Sequence, residues 1–160
     1  MQMKNENAST ESANITREKM IELLNEDLAR EYQAIIAYTV YSQLLKGAAY
    51  TDIARELEKH AGEELSHALK ISKQIDYLGG TPTVVAKSVK LSKEPKEMLR
   101  FDLENEQETV ANYRTRIRQA EAMGEFALSE TLRQIIAQEQ EHEIDLADAL
   151  GIDVPEPKKE

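Results

Sequence analysis

Four long helical patterns, each with charged residues at its centre, constrain the fold of this sequence more than any other feature. In each pattern apolar residues recur at alternating steps of three and four, which marks the face that a helix turns toward its neighbours. Each face is apolar at both ends and ionisable in the middle. The ionisable positions are Glu31 in the first pattern, Glu64 and His67 in the second, Glu106 in the third, and Glu139 and His142 in the fourth. The pattern predicts that these residues converge at the centre of one helical bundle.

Glycines and prolines set the predicted bounds of the helices. The first covers 16–46, the second runs from Thr51 as its N-cap to the "LGG" at 78–80, the third follows Ser92 and ends near Gly124, and the fourth covers 125–150. Short links join the first two helices and the last two, which predicts two antiparallel hairpins. The middle connection is about 13 residues, long enough to travel the length of a bundle when extended.

These elements predict an all-α protein, a four-helix bundle with one long crossover between helices two and three. The alternative is a plain up-down bundle with a flexible middle loop. We expect residues 1–15 to be a disordered N-terminal tail, 16–151 to be the bundle, and 152–160 to be a C-terminal tail.

The two predicted hairpins repeat each other at an offset of 75 residues. Glu31 and Glu64 are 33 residues apart, and so are Glu106 and Glu139. The same offset relates His67 to His142, Tyr38 to Tyr113 and Asp27 to Asp102. Each hairpin is therefore predicted to contribute half of one site.

Charge balance indicates what the site holds. A single buried carboxylate without a partner costs several kcal/mol, and four together repel each other or take up protons. Two histidines cannot neutralise four carboxylates, whereas two divalent cations can, with neutral imidazoles as further ligands. Carboxylate and imidazole ligands without sulfur suit iron or manganese, and zinc is a competitor. Asp27 and Asp102, one turn before Glu31 and Glu106, are candidate hydrogen-bond partners of the histidine rings, and capping or surface roles fit them equally well.

Composition excludes several other classes of protein. The chain has no cysteine, so disulfides, thiolate metal sites and a cysteine nucleophile are excluded. Its start shows no apolar secretory segment, and no apolar run reaches the roughly 18–20 residues of a membrane span. The net charge of −10 argues against nucleic acid as a ligand and is compatible with attracting cations. We therefore expect a cytoplasmic protein.

Several motifs resemble those of ferritin-like proteins of the bacterioferritin type, over residues 17–150. They are "REYQAIIAY" at 30–38, "EELSHA" at 63–68, "DLENE" at 102–106 and "EQEHE" at 139–143. The resemblance implies a ferroxidase that oxidises Fe²⁺ with O₂ or H₂O₂ and stores ferric mineral in a hollow homo-oligomeric shell. It also implies a site of two iron ions per subunit, with Glu64 and Glu139 bridging and Tyr38 beside them. The ligands would be Glu31, Glu64, His67, Glu106, Glu139 and His142.

Two departures from the family, and the absence of cysteine, shape these expectations. Haem-binding bacterioferritins carry methionine just after the first bridging glutamate, and this chain has Leu65 there, so we expect no haem. After Gly151 the chain has no sequence for the fifth helix that lines the four-fold axis of 24-subunit shells, because Pro155 and Pro157 break any short helix. We therefore favour a shell of twelve subunits, with 24 as the alternative. The absence of cysteine also excludes a rubredoxin module, as in rubrerythrins, and the cysteine pair of thioferritins.

Two questions stay open from the sequence. The same metal centre would serve a small di-iron or di-manganese enzyme that consumes peroxide without storing iron, as rubrerythrins and catalases do. A third hypothesis for the function is a structural bundle that binds no metal. His60 lies one turn before Glu64, but its offset partner is Ile135, so the symmetry of the site does not require it. It is either a core histidine, a partner of the ligands, or an accessory metal site with Glu56 and Glu63.

Overall fold

The computed structural model describes residues 14–158, most of which lie in four long helices. These are α1 (Arg17–Leu44), α2 (Thr51–Tyr77), α3 (Pro95–Ala122) and α4 (Phe126–Leu150). α1 packs against α2 and α3, and α4 packs against α3 and α2, which closes a four-helix bundle. The predicted all-α four-helix fold is confirmed. Across residues 14–158, no helix has the length and apolar character needed to cross a membrane.

The helix ends follow local signals in the sequence. Thr16 caps α1 by accepting a hydrogen bond from the backbone of Lys19 at 3.1 Å, and Pro95 occupies the first turn of α3. The prediction that Thr51 caps α2 is wrong. A 3₁₀ turn over Ala48–Tyr50 precedes it, so Thr51 is already helical and Tyr50 holds the cap position without a side-chain cap.

The middle connection is the predicted crossover, and it is held along α1. The side chain of Asn25 donates to the carbonyl of Thr81 at 3.1 Å and accepts from the backbone of Thr83 at 2.7 Å. Further along, the backbone of Lys87 donates to Ala29, and the side chains of Gln33 and Tyr41 donate to the carbonyls of Ser88 and Lys90. The connection thus follows α1 for about 24 Å, which places the start of α3 beside the end of α1.

The chain beyond α4 contains no further helix within the described residues, since 152–158 adopt no regular structure. The N-terminal tail predicted over 1–15 lies outside the described residues except for its last two. The proposed division of the chain at residues 15 and 151 stays a prediction.

Two apolar clusters fill the bundle on either side of its middle. One includes Leu24, Leu28, Ile71, Ile117 and Leu132, and the other includes Leu45, Leu57, Leu99, Leu103 and Leu146. Burying one such side chain stabilises the fold by about 1.5–3 kcal/mol. The two clusters therefore stabilise the bundle and offset the cost of burying charged groups at its centre.

The entry to the crossover depends on a glycine at position 80. A Cβ added to Gly80 would lie 2.4 Å from Cγ2 of Ile21 and 3.2 Å from Cγ2 of Ile75. Because these atoms belong to branched side chains at the bundle end, we expect Gly80→Ala to destabilise the protein by about 1–3 kcal/mol. Urea denaturation followed by circular dichroism measures the change.

Gly62 supplies the matched control. It is an exposed residue inside α2, and an added Cβ would meet no atom within 4 Å. Gly62→Ala should therefore raise the free energy of unfolding by about 0.5–1 kcal/mol through helix propensity. A Gly80→Ala protein as stable as the parent would contradict the close packing of the crossover against α1.

Candidate metal centre

All six residues predicted as metal ligands lie in the middle of their helices and face one another. Each is buried, with at most 3% of its surface exposed. α1 supplies one of them and α3 another, whereas α2 and α4 supply two each: Glu31, Glu106, Glu64 with His67, and Glu139 with His142. A spacing of three residues places each glutamate–histidine pair on one helix face.

Glu64 and Glu139 connect the two halves of this centre. Nδ1 of His67 lies 2.9 Å from Oε2 of Glu64 and 2.9 Å from Oε1 of Glu139. Nδ1 of His142 lies 3.0 Å from Oε1 of Glu64 and 3.3 Å from Oε2 of Glu139. Each of the two glutamates therefore presents one oxygen to each histidine.

The remaining two glutamates lie at opposite ends of the centre. Oε2 of Glu31 lies 3.6 Å from Nδ1 of His67, and Oε1 of Glu106 lies 3.7 Å from Nδ1 of His142. Potential ligand atoms therefore form two groups, each with atoms within 4.8 Å of one another, and both groups contain Glu64 and Glu139. Two neighbouring sites that share two carboxylates are the arrangement that a pair of cations requires.

Unsatisfied polar atoms test whether the centre suits cations. Five buried atoms here have no hydrogen-bond partner: Oε1 of Glu64, Oε2 of Glu106, both carboxylate oxygens of Glu139, and Nδ1 of His142. An unpaired buried acceptor costs about 1–3 kcal/mol, and more when it is charged. These atoms are lone-pair donors that point at one another, so the residues present fit metal ions.

Burial and mutual repulsion shift the carboxylates of the centre. Burial raises the pKa of Glu64 well above its ordinary value, and the charge of Glu139 raises it further. The same two causes raise the pKa of Glu106 to about 7. Burial would also raise the pKa of Glu139, but the neighbouring side chains of Glu106, His142 and His67 lower it below its ordinary value. Without metal, the cluster therefore retains protons that ordinary carboxylates lose.

The histidines compensate part of this charge. Burial alone would lower the pKa of His67, but contacts with Glu139 and Glu31 outweigh it and raise the pKa. The pKa of His142 is raised in the same way, against its burial, by Glu106 and Glu139. Metal binding needs neutral imidazoles and ionised carboxylates, so it would release protons from this cluster.

The outer nitrogens of both histidines have partners on the opposite hairpin. Nε2 of His67 lies 2.6 Å from Oε1 of Gln138, and Nε2 of His142 lies 2.6 Å from Oε2 of Glu63. These contacts fix the rings so that Nδ1 faces the centre. The partners are related by the 75-residue offset, and each directly precedes a glutamate of the centre. That regularity could have identified them in the sequence.

Of the roles open to Asp27 and Asp102, contact with the outer nitrogens of the histidine rings is not the one observed. Asp27 accepts hydrogen bonds from Nε and Nη2 of Arg116 at 2.6 and 3.2 Å. Asp102 is buried, and its Oδ2 has no hydrogen-bond partner. Asp27 lies on α1 and Asp102 on α3, whereas the outer nitrogens of the two histidines contact Gln138 and Glu63 on α4 and α2.

Two tyrosines contact the terminal glutamates across the bundle. The hydroxyl of Tyr38 donates to Oε1 of Glu106, and that of Tyr113 donates to Oε1 of Glu31. Burial, and then the nearby carboxylates, raise the pKa of both tyrosines well above the ordinary value, so both stay protonated donors. Tyr38 is among the predicted site residues and Tyr113 is not, although the 75-residue repeat relates the two.

His60 lies beside the centre rather than within it. Its ring stacks on that of His142, with the centroids 4.0 Å apart, and burial followed by the charge of His142 lowers the pKa of His60. Nε2 of His60 lies 2.9 Å from Oδ2 of Asp145. Glu63, predicted as a neighbour of His60 in an accessory metal site, contacts His142 instead.

The pKa shifts predict how the stability of the metal-free protein depends on pH. Folded Glu106 holds its proton to about pH 7, whereas the unfolded chain releases it near 4.5. The folded state therefore binds more protons, and the free energy of unfolding should fall as pH rises from 5 to 8. His67 and His142, with raised pKa values, act in the same direction above pH 6.5.

Glu106→Gln should flatten this decline, because the amide has no proton to lose while it still accepts from Tyr38. Urea denaturation at several pH values, with a chelator and at one protein concentration, measures the slope. Glu104→Gln, an exposed position on the same helix, is the control and should keep the parent slope. A parent protein whose stability is constant or rises over this range would contradict the assignment.

Comparison with known proteins identifies the family. Residues 21–153 match the family described as Ferritin-like domain. The bacterioferritin of Brucella melitensis is 28% identical over 125 residues, which is 78% of each chain. A ferritin-like, diiron-carboxylate protein of Bacillus anthracis superposes with a TM-score of 0.81 at 35% identity, over 84% of this chain and 96% of that one.

Two further solved structures share the architecture. Rhodobacter capsulatus bacterioferritin, described with a metal-free dinuclear site and haem iron, gives a TM-score of 0.76 at 27% identity, over 83% of this chain and 84% of that one. A dodecameric thioferritin of Bacteroides fragilis gives 0.79 at 25% identity, over 86% and 88%. With the bundle, the crossover and the family match in agreement, this chain belongs to the ferritin-like domain family and is of the bacterioferritin type.

Proposed function

We propose that the protein is a ferroxidase that oxidises Fe²⁺ with O₂ or H₂O₂ and stores the ferric product in a homo-oligomeric shell. The observation that carries the proposal is the bridging geometry, in which Glu64 and Glu139 each present one oxygen to each histidine. The bacterioferritin relatives support iron as the substrate. Two Fe²⁺ ions bound as substrate would supply two electrons for reducing the oxidant.

Charge balance explains why the centre would take two divalent ions. Four ionised carboxylates carry the charge that neutralises two such ions, and neutral imidazoles add ligands without changing that balance. Glu31 and His67 would belong to one ion, and Glu106 and His142 to the other. Manganese and zinc fit the same donors, so they are expected as competing occupants.

The surrounding residues would hold the ligands in place before iron arrives. Tyr38 occupies one oxygen of Glu106 and leaves the other without a partner. Glu63 and Gln138 fix the histidine rings from outside, which keeps Nδ1 directed inward. Because these contacts hold the ligand side chains from outside the centre, little reorganisation would be needed when iron binds.

Removing a ligand from either half should slow iron oxidation. We expect His67→Ala and Glu139→Ala each to lower the initial rate by more than about 10-fold, since even outer partners of metal ligands contribute 10–100-fold. The rate is measured from the absorbance of Fe³⁺ after mixing metal-free protein with Fe²⁺ and O₂ or H₂O₂.

Glu141→Gln is the matched control, because it removes an exposed carboxylate from α4, the helix that carries Glu139. It should oxidise iron at the parent rate. Circular dichroism should show that all three variants remain helical. Parent rates in both ligand variants would refute the centre as the site of oxidation.

Storage requires an enclosed volume, which one bundle does not provide. We propose a shell of twelve chains, with 24 as the alternative, and the dodecameric thioferritin of Bacteroides fragilis, which shares the bundle, supports the smaller count. Twelve chains of 18.1 kDa give about 217 kDa, and 24 give about 434 kDa. Light scattering measures the particle mass. A stable dimer of about 36 kDa would contradict storage and favour a small peroxide-consuming enzyme with the same centre.

A further inference from the structure

Glu56, His60 and Asp145 form a second cluster of metal-ligating side chains, outside the six-residue centre. One ligand atom from each lies within 4.8 Å of the others. We propose that these three residues bind a third divalent transition-metal ion per chain, at the edge of the bundle. Imidazole with two carboxylates is a donor set that suits such ions.

His60 is buried and directs its Nε2 at a carboxylate oxygen of Asp145, the kind of atom with which it could share an ion. It is 2% exposed, yet its Nδ1 has no hydrogen-bond partner and its Nε2 has only Asp145, at 2.9 Å. Two ligand atoms at about 2.0–2.2 Å from a common ion lie roughly 3 Å apart. An ion could therefore take the place of the hydrogen between these two atoms with little movement.

The repeat shows that packing does not require a histidine at this position. Its equivalent in the second hairpin is Ile135, which is fully buried. The equivalents of Glu56 and Asp145 are Thr131 and Lys70, so the repeat-equivalent position of the bundle has neither the imidazole nor the carboxylates. The three donors therefore depart from the repeat together, as expected if they serve one purpose.

The cluster opens to solvent through an acidic depression of about 240 Å³. Its charged lining consists of Asp52, Glu56, Asp145 and Asp148, without a lysine or arginine. Lys59 pairs with Glu56 at 3.2 Å, but its side chain is 67% exposed, and such surface pairs contribute at most about 1 kcal/mol. A divalent ion would displace that lysine readily.

The position of the cluster suggests what the ion would do. His60 stacks against the ring of His142, whereas Glu56 and Asp145 of the same cluster line the acidic depression. An ion held at His60 would thus lie between solvent and the centre, as a staging position for Fe²⁺ on its way inward. This role rests on the proposed function of the centre, whereas binding of the ion does not.

Binding is tested with Zn²⁺, which is redox-inert, on the assembled metal-free protein. Calorimetric titration should show one Zn²⁺ fewer per chain in Asp145→Asn and in His60→Ile than in the parent. His60→Ile copies the residue of the other hairpin and should fold. Crystals soaked in Zn²⁺ should give an anomalous peak beside Nε2 of His60 in the parent and none in either variant.

Asp148→Asn is the matched control, because it removes one charge from the same depression but is not among the three donors. It should bind as many ions as the parent. Glu139→Gln should lose binding at the centre and retain the peak at His60, so a failure of the centre is distinguished from a failure here. Unchanged Zn²⁺ counts in Asp145→Asn and His60→Ile, or no parent peak at His60, would overturn the proposal.

Discussion

Repulsion among four carboxylates buried in one small volume is the constraint on which the rest of the structure depends. Glu31, Glu64, Glu106 and Glu139 are nearly free of solvent, and several of their oxygens have no hydrogen-bond donor. Protons and imidazolium charge relieve part of this repulsion in the metal-free chain, as the raised pKa values of Glu64 and Glu106 indicate. Divalent cations would relieve this repulsion more completely. The same four carboxylates therefore determine both the stability of the fold and its affinity for metal.

The bundle tolerates this centre because its other contacts join the two hairpins around it. Two apolar clusters flank the centre, and the crossover fixes the start of α3 against α1. The hydrogen bonds of both tyrosines and of both histidine Nε2 atoms also connect one hairpin to the other. The centre therefore exists only when the hairpins are docked, and neither half can form it alone.

The internal repeat is kept at the centre and lost around it. Ligands, tyrosines and the outer partners of the histidines follow the 75-residue offset. Asp27 pairs with Arg116. The equivalent of Arg116 in the first hairpin is Tyr41, and its hydroxyl donates to the carbonyl of Lys90 in the crossover rather than to Asp102. The first hairpin has His60 at the position where the second hairpin has Ile135. The repeat is thus kept among the residues that form the two halves of the metal centre. Positions where the two hairpins differ mark features that occur in only one of them.

The sequence by itself determined the helices, the crossover and the six residues that converge, because periodicity and spacing are local properties that one helix expresses completely. It also contained the repeat from which Tyr113, Glu63 and Gln138 could have been found. Only the tertiary structure decided which partner each polar group meets. Asp27 pairs with Arg116, and Glu63 contacts His142 rather than His60. Such contacts depend on how helices of different hairpins are rotated against each other. That rotation is set by packing across the bundle, and no pattern within a single helix encodes it.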